Sequence, residues 1–245
     1  MKKRWGIRAG LIACAWLVCV AWGDVQAQTA GSDVVSAGWV RIAPQAKGTP
    51  LRVTNIDGTP VNILQAGTGS SANETNTFGV SFEHYLTDHV GLKLAGGWPV
   101  YLDLTGRGTL AHYGVIGEAK PWSPMLLASY HFGEATNRLR PFVSAGITYT
   151  WFSNEKITNQ SFITDNLGPG GSVKVDATNA WKPVVEAGAN YLLADRWALG
   201  LVVSYVPVRT EATLHGETAT GMTSTTVATI RLRPILPFLN MSYRF

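Results

Sequence analysis

Residues 197–208 read WALGLVVSYVPV. One parity gives Trp197, Leu199, Leu201, Val203 and Tyr205. The other gives Ala198, Gly200, Val202, Ser204 and Val206. A period of two is the period of a strand, whose alternate side chains point to opposite faces. Here one face is large and apolar and is bounded by Trp and Tyr, while the opposite face is small. A soluble eight-stranded barrel of the lipocalin kind turns its large side chains inward. A strand that crosses a bilayer turns them outward, with aromatic residues at both interfaces.

The same pattern recurs on either side. The tripeptide ADR (194–196) joins this stretch to 181–193, and TDH (87–89) joins 77–86 to 90–100. GEATNRLR joins 125–132 to 141–152. With 34–43 and 226–245, the chain offers eight strand segments. The remaining joins, about 44–76, 101–124, 153–180 and 209–225, are long and rich in Gly, Thr, Asn and Ser. Short turns alternating with long loops, between segments near the roughly 9–11 residues that span a membrane, describe a transmembrane β-barrel. The strand charges Glu83, Lys93, Glu186 and Arg244 lie opposite the aromatic face. The expected fold is therefore all-β, an eight-stranded antiparallel transmembrane β-barrel with long extracellular loops and short periplasmic turns.

The front of the chain fits that destination. Lys2, Lys3, Arg4 and Arg8 precede a mostly apolar run to Trp22, and Val25 and Ala27 are small residues placed before a cut. This predicts a signal peptide over 1–27 and a barrel over 28–245. The apolar run is shorter than a spanning helix requires. Cys14 and Cys19 both fall in the predicted signal, so the mature chain carries no thiol. Removing the signal lowers the formal charge from +4 to about +1. That balance, without a basic cluster in one stretch, excludes a nucleic-acid partner.

Closure makes the last strand pair with the first. Its ending, MSYRF (241–245), alternates up to Tyr243 and Phe245. Outer-membrane barrels commonly end this way, and their assembly machinery reads that ending. Tyr243 and Phe245 are thus the candidate assembly signal.

Eight strands leave a lumen that side chains can fill. Toward the periplasmic end the inward parity carries Glu83, Lys93, His131, Glu186 and Arg244, a near-balance of charge that predicts a polar plug. Toward the outer end it carries Met125, Leu127, Phe152, Val184, Val202, Val206, Leu232, Leu236 and Phe238. An aqueous pore has no use for such a set. The split predicts an apolar chamber above a polar floor. Pro183, Pro207, Pro234 and Pro237 lie in or beside the last three segments. Proline cannot donate to a ladder, so these residues predict either bulges near the outer rim or a side gap between the seventh and eighth strands.

Enzyme signatures are absent. His112 and His215 belong to loops, no motif joins them to a nucleophile and an acid, and the five histidines show no metal-ligand spacing. GPGG at 168–171 is a loop tip without the Lys-Ser/Thr of a phosphate loop. No cofactor is expected.

The segments 122–152, 187–208 and 232–245 together resemble the OmpW family of outer-membrane proteins, and YLTDHVGL (85–92) fits its short turn after the second strand. The resemblance covers essentially the whole mature chain. It implies residence in the outer membrane of a Gram-negative cell and a narrow apolar channel. It also implies passive passage of small hydrophobic molecules, with related members linked to hydrocarbon uptake. The partners it implies are membrane lipid, small apolar solutes and the assembly machinery. The alternative is a structural or receptor-type barrel whose loops bind a partner.

Overall fold

The computed structural model describes residues 29–45 and 47–245. The expected signal peptide, with both cysteines, lies outside the described residues. In chain order the first strands are β1 (Asp33–Ile42), β2 (Lys47–Gly48), β3 (Arg52–Ile56), β4 (Thr59–Leu64), β5 (Thr68–Ala72) and β6 (Thr75–Tyr85). Next come β7 (Val90–Gly97), β8 (Leu102–Gly108), β9 (Val115–Trp122), β10 (Met125–His131) and β11 (Leu139–Ile157). A helix, α1 (Gln160–Leu167), precedes β12 (Ser172–Ala177) and β13 (Ala180–Ala194). The last are β14 (Trp197–Tyr205), β15 (Val208–Glu217), β16 (Thr223–Leu232) and β17 (Ile235–Arg244).

Eight of these close a barrel. The order β10-β7-β6-β1-β17-β14-β13-β11 is completed by pairing of β11 with β10, and every one of these ladders is antiparallel. The closing ladder of first and last strands runs from Val34↔Arg244 to Val40↔Phe238. Every backbone group of a spanning segment must find a partner inside the protein, and closure supplies one without leaving an edge. The outward parity of β14 is exposed from Trp197 to Tyr205, and its inward parity is buried. Phe78, Val80 and Phe82 of β6 are likewise exposed, while Glu83 and Tyr85 are buried. Hydrophobic surface faces out because lipid is its solvent.

The long joins fold above the barrel rather than remaining irregular. β12, β15, β16, β3 and β4 form a second sheet in that order, with β2 against β16. β9, β8 and β5 extend outward from the upper half of β11. The 226–245 segment is accordingly two strands: β16 belongs to the upper sheet, and only β17 belongs to the barrel. They part at Arg233 and Pro234. Segment 197–208 divides in the same way at Val206 and Pro207.

The expected gap between the seventh and eighth barrel strands does not occur. β14 and β17 pair continuously from Trp197↔Tyr243 to Tyr205↔Ile235, straight through Val203↔Pro237. Above them the Val206 N–H donates to Pro234 O at 3.4 Å, and β15 and β16 pair from Val208↔Leu232 upward. The prolines act on other seams. The β13–β14 ladder ends at Val185↔Tyr205, just below Pro183 and Pro207. The β1–β17 ladder lapses at Pro237 and resumes in one bridge, Ala43↔Ile235. The wall is also unpaired above Ala95↔Met125, where β7 and β10 part.

Candidate functional site: a lumen divided in two

The inward faces of the eight strands meet in two unlike zones. In the periplasmic half, His131 is fully buried on β10. Its Nε2 lies 2.9 Å from Glu83 Oε1, and its Nδ1 lies 3.3 Å from the Tyr85 hydroxyl. Lys93 of β7 forms an ion pair with Glu186 of β13, and the Ser204 hydroxyl donates to the same carboxylate at 2.9 Å. The Lys93 ammonium also sits 4.9 Å from the centre of the Phe142 ring. Gly91 makes room for this cluster, since a Cβ there would come within 2.5 Å of Glu83 Oε1. Each buried charge thus has a charged or hydrogen-bonding partner, which burial demands.

Arg244 closes the lower rim by donating to Asp195 O at 2.7 Å. Arg140, the last residue of the GEATNRLR join, does the same with Asp88 O at 2.6 Å and is among the largest fully buried side chains. Its signal was available, because Arg140 shares the inward parity of Phe142 and Ser144. The near-balance of charge expected of the plug therefore needs restating. Two carboxylates take Lys93 and His131, while the two arginines are also held by carbonyl oxygens of the short turns.

Above lies a cavity of about 140 Å³. Six of the nine apolar residues marked in the sequence line it: Met125, Phe152, Val206, Leu232, Leu236 and Phe238. Leu127 and Val184, each 1% exposed, do not line it but are buried in its wall and pack with Val206 and Val208. Val202 is buried on β14, opposite Gly188 and Phe238, and does not line the cavity. Val40 and Ile42 of β1 do line it, and their even-numbered parity in 34–43 was the missed signal. Polar groups in the wall satisfy one another. Ser123 and Thr150 share a hydrogen bond of 3.0 Å, and the Thr77 hydroxyl donates to Trp98 O at 2.6 Å. Glu186 and Ser204 border the cavity at its floor.

On one side the cavity reaches the outer surface. Val80, half-exposed on the lipid face, and Trp98, 72% exposed, both line it, beside Gly96 and Pro99. A Cβ on Gly96 would meet nothing within 4 Å. This is where β7 leaves β10.

The loop histidines stay apart. His112 Nδ1 lies 2.9 Å from Thr109 O, and His215 Nε2 lies 3.7 Å from an Asp176 carboxylate oxygen on exposed surface. Among the described residues no group of three or more His, Cys, Asp or Glu could hold a metal ion. GPGG ends α1, with Gly168 and Gly170 at positive φ.

A closed eight-stranded barrel that is apolar outside, polar below and apolar above is a transmembrane β-barrel of the outer-membrane class. The sequence profile of the OmpW family matches residues 29–245, and the chain belongs to that family. It resides in the outer membrane of a Gram-negative cell. Outer membrane protein W of Vibrio cholerae is 28% identical over 201 residues, covering 81% of this chain and 84% of that protein. The Dibenzothiophene metabolism operon protein PahQ of Pseudomonas aeruginosa is 24% identical over 147 residues, 60% of this chain and 63% of that one. The crystal structure of OprG from Pseudomonas aeruginosa superposes with a TM-score of 0.76 at 23% identity, covering 91% of this chain and 99% of that one. These relatives are outer-membrane and operon proteins in name, and none is named as an enzyme.

Proposed function

We propose that the barrel is a passive channel for small hydrophobic molecules. A solute reaches the apolar cavity from outside, is stopped below by the Glu83, Lys93, His131, Glu186 and Arg244 plug, and leaves sideways into lipid. The observation that carries this reading is the junction itself: an apolar cavity with Glu186 and Ser204 at its floor, where Glu186 pairs with the buried Lys93 and Glu83 with the buried His131. An uncharged solute gains by leaving water for such a cavity and loses by entering the plug. The exit consistent with the ladders lies between β7 and β10, beside Gly96 and Trp98. A relative named for dibenzothiophene metabolism supports cargo that is apolar and uncharged. We further propose that the chain reaches the membrane by cleavage after Ala27 and by recognition of Tyr243 and Phe245.

Uptake by cells lacking their own copy tests the reading. Val206→Asp places an unpaired carboxylate in the cavity, and Gly96→Trp fills the side opening where the backbone leaves space. Both variants should fold, and both should slow uptake of a small aromatic hydrocarbon. Uptake at the parent's rate in both would leave the second reading, a receptor-type barrel. That reading draws on the folded sheets standing above the rim.

A further inference from the structure

Above the membrane-facing band, on the outer surface of the β15–β16 hairpin, the register places Arg209 directly opposite Arg231. Both side chains are exposed. Directly opposed residues on antiparallel strands have Cβ atoms roughly 5 Å apart, and like charges so placed repel. Arg233 follows on the same outward parity and is also exposed. On the other side of Arg231, the register sets Lys47 of β2 opposite it.

Three other cations near the rim are occupied. Arg41 pairs with Glu74, Lys156 pairs with Glu118 at 3.0 Å, and Lys120 sits 5.6 Å from the centre of the Tyr101 ring. Among the described residues, Arg209, Arg231 and Arg233 make no ion pair. Glu211 shares their outward row and bridges to none of them.

What lies beneath decides the ligand. The same two-strand track continues down the barrel as Tyr205 opposite Ile235 and Leu201 opposite Leu239, all exposed and apolar. Arg233 is two residues from Ile235, and Arg209 is four from Tyr205. The arginines therefore stand where headgroups meet acyl chains, in the outer leaflet of a Gram-negative membrane. A planar guanidinium takes phosphate oxygens two at a time, and an anion between two of them cancels their repulsion. We propose that Arg209, Arg231 and Arg233 form a binding site for the phosphates of a phosphorylated glycolipid of the outer leaflet, its acyl chains lying on the apolar track below.

Thermal unfolding of the whole barrel purified in detergent tests this, with three probes: lipid A carrying both phosphates, dephosphorylated lipid A, and inorganic pyrophosphate. The parent should be stabilised by the phosphorylated lipid and bind it about tenfold more tightly than the dephosphorylated one. The Arg209→Gln/Arg231→Gln variant should lose that preference, while Arg41→Gln keeps it. Arg231→Gln alone guards against misfolding, since it removes the opposed charge. Without lipid it should melt at or above the parent's temperature, and with phosphorylated lipid it should gain less. Equal binding of both lipids by the parent, or an undiminished preference in the Gln variants, overturns the site. Pyrophosphate stabilising as well as the lipid would also overturn it, because the site would then be one for a free anion.

Discussion

Lys93 and Glu186 join across the lumen from strands that do not pair with each other; β10 and β11 stand between theirs in the sheet. The contact therefore ties opposite walls of the barrel as well as neutralising two charges. Their side chains are 6% and 4% exposed, so neither charge has water to fall back on. Glu186→Ala should lower stability by about 3 kcal/mol, because it strips the buried ammonium of its ion-pair partner and leaves it the Phe142 ring and the Glu83 carboxylate opposite, which is already engaged by His131. Lys93→Met/Glu186→Leu should recover most of that loss. Heat-modifiable gel mobility measures both. A double variant as unstable as the single one would show that the pair contributes more than relief of a stranded charge.

Gly91 controls the second pair. A side chain there collides with the Glu83 carboxylate, which would have to leave His131. Gly91→Val should therefore behave like Glu83→Ala, with earlier unfolding and higher ion leakage in planar bilayers. Gly96→Val, five residues along the same strand, meets open space and should change neither. Equal effects from the two substitutions would remove the plug as the cause.

Phe245 faces outward, 64% exposed, and packs edge-on to Tyr243 at 5.0 Å, while its N–H donates to Asp33 O at 2.9 Å. The side chain adds little to the lumen, so its loss should act on assembly. Deleting Phe245 should cut the amount of folded barrel in cells several-fold, while protein refolded from denaturant into detergent keeps nearly the parent's melting temperature. A matching loss in refolded protein would assign Phe245 to stability.

How far the sequence could be read depended on which solvent each face met. Lipid outside and a filled lumen inside impose strict alternation, so the eight barrel segments and the inward positions of Glu83, Lys93, His131 and Glu186 were legible from parity alone. Above the membrane both faces meet water or each other. There β15 and β16 form a ladder from Val208↔Leu232 to Glu217↔Thr223 in a region rich in Thr, where alternation is weak. Proline marked ladder ends correctly, but not which ladder. Pro237 keeps its pairing with Val203 while the ladder toward β1 lapses, and only register separates those cases. Arg140 is hidden in the sequence because GEATNRLR reads as a turn through Arg140, whereas β11 begins two residues earlier than Pro141, at Leu139.

Leu127 sets the height of the floor. The register places it opposite Lys93, so the change from apolar cavity to ionic plug occurs between neighbouring strands at one level. Leu127 is 1% exposed and packs with Val184, Val206 and Val208, and Glu186 lines the cavity while its partner Lys93 does not. Leu127→Ala should cost about 2–5 kcal/mol and leave a void continuous with the cavity. Two consequences compete. A deeper cavity should hold a longer apolar solute, raising its uptake relative to a short one. The same void brings Lys93, opposite Leu127 in the ladder, within reach of water that enters from above, which lowers the apolar gain. Leu127→Met, similar in volume, separates them, since it should leave both the floor and the solute preference unchanged. Competition between a short and a long hydrocarbon in uptake assays provides the measurement. If Leu127→Ala folds and the long-to-short ratio does not move, the solute never rests on this floor, and its path must turn sideways higher up, at the level of Gly96 and Trp98.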